Sequence, residues 1–157
     1  MSRKTIHRKK RKITLEAKYH NLLLSKFIRM LMWNGKLSVA ENSVYTALNL
    51  LENKFKDSAI NIFQKSLDNI RPLVKVKARR VGGSTYQVPI EVSEEAGFSI
   101  AMRWIITAAR NKKNADIAQK LFLEFSEAYE KRGDAFRKRE ETHKMAEANR
   151  AFAHYRI

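Results

Sequence analysis

The hydrophobic period of this chain changes twice, and those changes limit what it can fold into. From about residue 20 apolar residues recur at helical spacing. Leu24, Phe27, Ile28 and Leu31 make one stripe, closed by a turn at Asn34-Gly35. Val44, Ala47, Leu48, Leu51 and Phe55 make a second; after Asp57, a candidate N-cap, Ile60, Phe63, Leu67 and Ile70 make a third. Pro72 stops that helix, because proline disfavours the helical region for the residue before it. The period then drops to two. Val74, Val76 and Ala78 alternate with Lys75, Lys77 and Arg79; beyond Gly82-Gly83, Tyr86, Val88, Ile90 and Val92 alternate with Gln87, Pro89 and Glu91. This reads as one β-hairpin at about 73–92 with a loop around residues 80–85, and Pro89 suits an edge strand. From about residue 94 the helical period returns. Phe98, Met102, Ile105, Ile106 and Ala109 form a fourth stripe, and Ile117, Leu121, Phe125 and Tyr129 a fifth. Gly133 reads as a C′ residue and Asp134 as the N-cap of a last helix over 135–148. The expected fold is mainly α: about six helices in one domain, with a single protruding β-hairpin between the third and fourth. A lone hairpin is marginal in water, so something must support it.

Charge narrows the function. The chain carries 32 Lys+Arg against 16 Asp+Glu, a net charge of +16 over 157 residues. That much like charge opposes compaction, and a polyanion relieves it. Residues 1–12 hold Arg3, Lys4, Arg8, Lys9, Lys10, Arg11 and Lys12 with no acid; Glu16 is the first. Charge this dense cannot bury apolar surface. The expectation is a basic arm, disordered without RNA and ordered on it, ahead of a helical domain at 13–157. The chain has no cysteine, which excludes disulfides and thiolate metal sites. No apolar run approaches the ~20 residues that span a bilayer. No signal-peptide pattern follows the basic N-terminus. A soluble intracellular protein is expected, with no membrane partner.

Within the domain, Arg103, Thr107 and Arg110 share a helix face opposite the core stripe, and Lys112-Lys113 extend it. Such a face is either ordinary solvated surface or a phosphate contact; two arginines without an acid on that face favour phosphate. On the hairpin, Lys75, Lys77 and Arg79 project from one side of a strand, with Arg80 at the tip. Gly82 and Gly83 permit unusual dihedrals and close backbone approach. Tyr86 either stacks on a base or faces the core, since it shares parity with Val88 and Ile90. Trp33 and Trp104 are read as core residues.

The search for catalysis is empty. His7, His20, His143 and His154 have no metal-ligand spacing; His143 and His154 are read as contacts or caps. No nucleotide loop and no dinucleotide turn occur. Glu94-Glu95 and Glu140-Glu141 are adjacent pairs, which point about 100° apart on a helix and cannot share a site. No enzyme activity, cofactor, metal or small-molecule substrate is indicated.

Two strings are more specific. One runs Val76-Lys77-Ala78-Arg79-Arg80-Val81-Gly82-Gly83-Ser84-Thr85-Tyr86-Gln87-Val88-Pro89. The other runs Lys138-Arg139-Glu140-Glu141-Thr142-His143-Lys144-Met145-Ala146-Glu147-Ala148-Asn149-Arg150-Ala151-Phe152-Ala153-His154-Tyr155-Arg156. Both closely resemble the family of the seventh protein of the small ribosomal subunit, in its bacterial and organellar form. Ala101-Met102-Arg103-Trp104-Ile105 and Asn34-Gly35-Lys36 are similar to it too, so the resemblance covers nearly the whole chain. It implies a structural constituent of the small subunit. Such a protein binds the three-prime major domain of small-subunit ribosomal RNA and nucleates assembly of the head. It implies RNA contacts by the arm, the hairpin and a helical face, adding Lys36 to the candidates. It also implies that Arg80, Arg137, Lys138, Arg139, His143, Arg150, His154, Tyr155 and Arg156 lie near the exit-site tRNA, the mRNA path or protein neighbours. Small-subunit proteins nine and eleven are the implied neighbours, and the implied location is the ribosome of a bacterial cytoplasm, mitochondrial matrix or plastid stroma. The chain departs from the family pattern at two places. Ile13-Thr14-Leu15-Glu16-Ala17-Lys18 stands where Pro-Asp-Pro is common, and Ser93-Glu94-Glu95-Ala96 where arginines are common. The two acids either weaken phosphate contact or serve the positive N-terminus of the fourth helix, with Ser93 as cap. The rival readings are a basic architectural DNA-binding protein and an RNA-processing enzyme.

Overall fold

The computed structural model describes residues 14–113 and 115–156. The arm expected at residues 1–12, with Arg3, Lys4, Arg8, Lys9, Lys10, Arg11 and Lys12, lies outside the described residues, as does the side chain of Arg156. Six α-helices are described: α1 Leu22–Leu31, α2 Leu37–Phe55, α3 Ala59–Ile70, α4 Glu94–Asn111, α5 Ile117–Tyr129 and α6 Asp134–Ala148. Strands β1 Val74–Val81 and β2 Ser84–Glu91 form an antiparallel hairpin between α3 and α4, and a 3-10 helix, Arg150–Arg156, is the last described element. The expected order of three helices, hairpin and three helices is therefore observed, with the short terminal helix added.

The five apolar stripes all become core. α5 packs on α2, α3 and α4. Phe27 of α1, Phe63 of α3 and Phe125 of α5 meet edge to face or tilted, with ring centroids 5.3–5.7 Å apart. All three are fully buried, and such ring pairs add about 0.5–1.5 kcal/mol each beyond area burial. The hairpin finds its support from α6, which packs on β1, and from the 3-10 helix, which packs on β2.

The start of the domain is built around one buried acid. Glu16 is 5% exposed. Its carboxylate accepts from the backbone N–H groups of Lys18 (2.8 Å), Tyr19 (2.9 Å) and Asn21 (3.0 Å) and from the Tyr45 hydroxyl (2.9 Å). The Asn21 side chain then caps α1 by accepting from the N–H of Leu24 at 3.1 Å. Burial pushes the Glu16 carboxyl up, but the hydrogen bonds from Asn21, Tyr19, Tyr45 and Lys18 outweigh it, and the group titrates below its ordinary range. The Tyr45 phenol is pushed up to about 12 by its own burial and by this carboxylate.

Four details differ from the sequence reading. The N-cap of α3 is Ser58, one residue after Asp57, whose carboxylate instead accepts from the Ser58 N–H at 2.7 Å. Gly133, at φ +93°, is the N-cap of α6, and Asp134 is its first helical residue, paired with Arg137. The hairpin loop shrinks to Gly82-Gly83, because both glycines take positive φ, +58° and +86°. That is the type I′ pattern, which suits the twist of a tight hairpin. Trp33 is not core: it is 65% exposed. α1 ends at Leu31, and Asn34 (φ +50°) and Gly35 (φ +75°) swing the chain away, so Trp33 loses the phase of the buried stripe.

Candidate nucleic-acid interface

The hairpin register decides what its cations can reach. Lys75 pairs with Ile90, Lys77 with Val88 and Arg79 with Tyr86, while Arg80 pairs with Thr85. Cross-strand partners share a face. Lys75, Lys77 and Arg79 thus do stand on one side, beside Ile90, Val88 and Tyr86, and Arg80 stands on the other. Lys77, Arg79 and Arg80 are exposed and Lys75 is half-buried. None of the four makes an ion pair among the described residues. Space beside Gly82 and Gly83 is open, so these glycines are required by their dihedrals and not by crowding. Tyr86 resolves toward packing: its ring lies 5.3 Å from Phe152 and 5.1 Å from Tyr155. The terminal helix thereby holds the hairpin through β2.

The α4 face divides. Arg103 and Lys113 are exposed and make no ion pair among the described residues. Arg110 points toward α1: its Nη2 donates to the Leu31 carbonyl at 3.0 Å, and its guanidinium lies 5.1 Å over the Trp33 ring. Lys112 is used internally. Its ammonium lies 2.8 Å from Glu127 and 3.2 Å from Glu124, a carboxylate with no exposure. The Glu124 carboxylate also accepts from the Ala135 N–H at 3.0 Å, so Lys112 helps tie the end of α4 to the α5–α6 junction. Burial opposes the charge on Lys112, but the hydrogen bonds it donates to the two carboxylates raise its pKa; at Glu124 burial prevails and the carboxyl is pushed up. Lys36 is exposed at the start of α2, beside Trp33.

The residues on α6 and beyond are mostly engaged. Arg137 pairs with Asp134, Lys138 with Glu141 (3.2 Å) and Arg150 with Glu147 (3.5 Å). These exposed pairs are worth only about 0–1 kcal/mol each and can be exchanged for a stronger partner. Arg139 donates to the Asn69 carbonyl at 2.5 Å and stacks on Phe136, bracing α6 against α3. The His143 Nε2 accepts from the Leu73 N–H at 3.1 Å. Burial, then the charge of Arg139, lowers its pKa, so the ring stays neutral and able to accept. His154 lies 2.9 Å from the Ala151 carbonyl and against Tyr155, within the terminal helix. The acids after the hairpin serve the fold. Glu94 pairs with Arg71 at 3.0 Å and Glu95 with Lys26 at 3.9 Å, and Ser93 is the N-cap without a side-chain bond.

What these surfaces belong to is decided by comparison with known proteins. The model of the family described as Ribosomal protein S7p/S5e matches residues 2–150. The chain belongs to this family. It is 54% identical over 146 residues to small ribosomal subunit protein uS7 of Buchnera aphidicola subsp. Cinara cedri, spanning 93% of this chain and 94% of that one. It is 50% identical over 147 residues to the uS7 protein of Petrotoga mobilis, spanning 94% and 95%. With the uS7 protein of Borrelia hermsii the identity is 48% over 157 residues, spanning 99% of each chain. S7p/S5e proteins are structural constituents of ribosomes, so the enzyme reading is set aside. Among the described residues, no helix is long and apolar enough to cross a membrane.

Two residues of α4 in this S7p/S5e chain give a direct test of the helix rotation. Trp104 is half-buried against the core, whereas Arg103 is exposed. Trp104→Ala is expected to lower stability by about 2–3 kcal/mol, less than for a fully buried aromatic. In a chain of this size that is roughly 4–12 °C in melting temperature. Arg103→Ala should leave the melt unchanged; the reverse pattern would mean the helix is turned.

Proposed function

We propose that this chain binds small-subunit ribosomal RNA and nucleates folding of its three-prime major domain. Small-subunit proteins nine and eleven, the exit-site tRNA and the mRNA path are then its neighbours, in a bacterial cytoplasm or an organelle interior. The observation that carries the RNA reading is the hairpin. Lys75, Lys77, Arg79 and Arg80 crowd one short strand without an ion pair among the described residues, in a chain of a ribosomal-protein family. Arg103, Lys113 and Lys36 are further exposed cations, and the sequence at 1–12 adds seven. The mechanism is electrostatic. Each Lys or Arg that meets a phosphate releases condensed counterions, and that release drives binding. Sequence need not be read: A-form RNA presents phosphates and 2′-hydroxyls that are recognised by shape. The surface pairs on α6 can exchange their acids for RNA phosphate at little cost.

Binding should therefore weaken with salt. Four hairpin contacts alone predict a fall of about 50-fold or more between 50 and 200 mM salt. Titration of the full chain against a three-prime major domain transcript, with duplex DNA as competitor, measures both slope and class. A flat salt response would defeat the electrostatic mechanism, and equal competition by duplex DNA would favour the architectural DNA-binding reading.

A further inference from the structure

Trp33 is the feature that the RNA reading has not absorbed. It is 65% exposed, an unusual state for the largest apolar side chain. It is nevertheless held. The Arg110 guanidinium lies 5.1 Å over its ring, and that guanidinium is fixed by its 3.0 Å bond to the Leu31 carbonyl. The indole borders an open groove of about 330 Å³, floored by Val39, Ala40 and Ile117 and edged by Lys36 and Arg110. Among the described residues no carboxylate lines the groove, and its charged side chains are both cations.

An aromatic ring held in place by a stacked guanidinium, beside an apolar floor and the exposed Lys36, suits one ligand chemistry. Nucleobases have π-faces, and every nucleotide carries a phosphate. Base–aromatic stacking tolerates any sequence, and a cation behind the ring strengthens the platform. A protein partner would have to bring an acidic apolar segment to satisfy the same cations. We infer that the groove between the α1–α2 turn and the end of α4 is a stacking site for one unpaired nucleobase. Trp33 is its platform, Arg110 backs that platform, and Lys36 takes the adjoining phosphate. The inference rests on the RNA-binding reading above and adds that part of the bound RNA is single-stranded at this groove.

The test uses fluorescence and affinity together. In the full chain with Trp104→Phe, Trp33 is the sole tryptophan. Adding a three-prime major domain transcript should quench its emission. Trp33→Ala should weaken binding of that transcript by about 5- to 150-fold, the range of one lost stack, with an unchanged melting temperature. Trp33→Phe should retain most of the affinity. If Trp33→Ala binds as tightly as the parent and the emission is unquenched, the stacking site is overturned while RNA binding stands. Shielding of Trp33 from acrylamide only on adding neighbouring ribosomal proteins would overturn it in favour of a protein contact. Failure of the parent protein to bind the transcript would overturn both readings.

Discussion

Replacing Arg79 and Arg80 together by glutamate is expected to weaken ribosomal-RNA binding by about 10²–10⁴-fold while leaving the melting temperature close to that of the parent. The affinity loss follows from two charge-assisted hydrogen bonds to phosphate, at about 1.5–3 kcal/mol each, before any repulsion is added. The stability expectation follows from position. Both residues are exposed, next to the Gly82-Gly83 turn, and neither makes an ion pair among the described residues. New carboxylates at the tip would bury no charge and would sit near Lys77. The register adds a distinction: Arg79 lies on the Tyr86 face and Arg80 on the Thr85 face. Single reversals therefore report which face meets RNA. The measurement is a binding titration, a thermal melt and reconstitution into small subunits. Normal binding and reconstitution by the double variant would remove the hairpin from the functional surface, and the arm and Arg103 would have to carry recognition. A melting loss of many degrees would instead show that Arg79 supports the packing of Tyr86 on Phe152 and Tyr155.

The helices were legible because burial repeats at their own period. Each stripe from Leu24 to Tyr129 lies on the inner side of its helix, and Pro72 and Asn34-Gly35 mark breaks that the backbone respects. The hairpin was legible from alternation and from Gly-Gly, which permits the two positive dihedrals. Its pairing was not. Alternation says which residues of one strand share a side, but only the turn length sets the register that puts Lys77 opposite buried Val88. The brace by Phe152 and Tyr155 is a contact between residues about 70 apart, which no local pattern encodes.

The site was legible as charge and less so as availability. Sequence places Arg103, Arg110, Lys112 and Lys113 on or beyond one face, yet Lys112 is taken by Glu124 and Glu127, and Arg110 by Leu31 and Trp33. These partners come from other elements of the fold. Trp33 looks like core in the sequence because it stands just past an apolar stripe. The signal against that was present in Asn34-Gly35, a turn that ends the helical phase. Glu16 carried a signal too: it is the first acid after seven cations, and it stands five residues before the cap of α1.

Glu16→Ala is expected to destabilise the domain by about 3 kcal/mol or more, roughly 6–12 °C in melting temperature for a chain of this size. The substitution strands three backbone N–H groups and the Tyr45 hydroxyl, each of which now donates to the carboxylate, and water can reach only part of that site. Tyr45→Phe removes only one of the four donors and should cost about 1 kcal/mol. The charge makes a separate prediction. Glu16 titrates below its ordinary value near 4.5, so the folded state releases a proton that the unfolded chain still holds at mildly acid pH. Its stabilisation is therefore complete above about pH 4.5 and is lost as pH falls through the lower folded value. Glu16→Gln keeps the shape but cannot ionise, so it should melt lower than the parent near neutral pH and approach it as both are acidified. Thermal melts from neutral to acid pH test this, and parallel curves would show that the charge at Glu16 does not contribute. In sequence this turn follows closely on the run of cations at 1–12. Glu16→Ala measured for RNA affinity at a temperature where it remains folded then asks a second question. A loss of affinity there would mean that the direction of the arm, and not only its charge, is set by this one buried carboxylate.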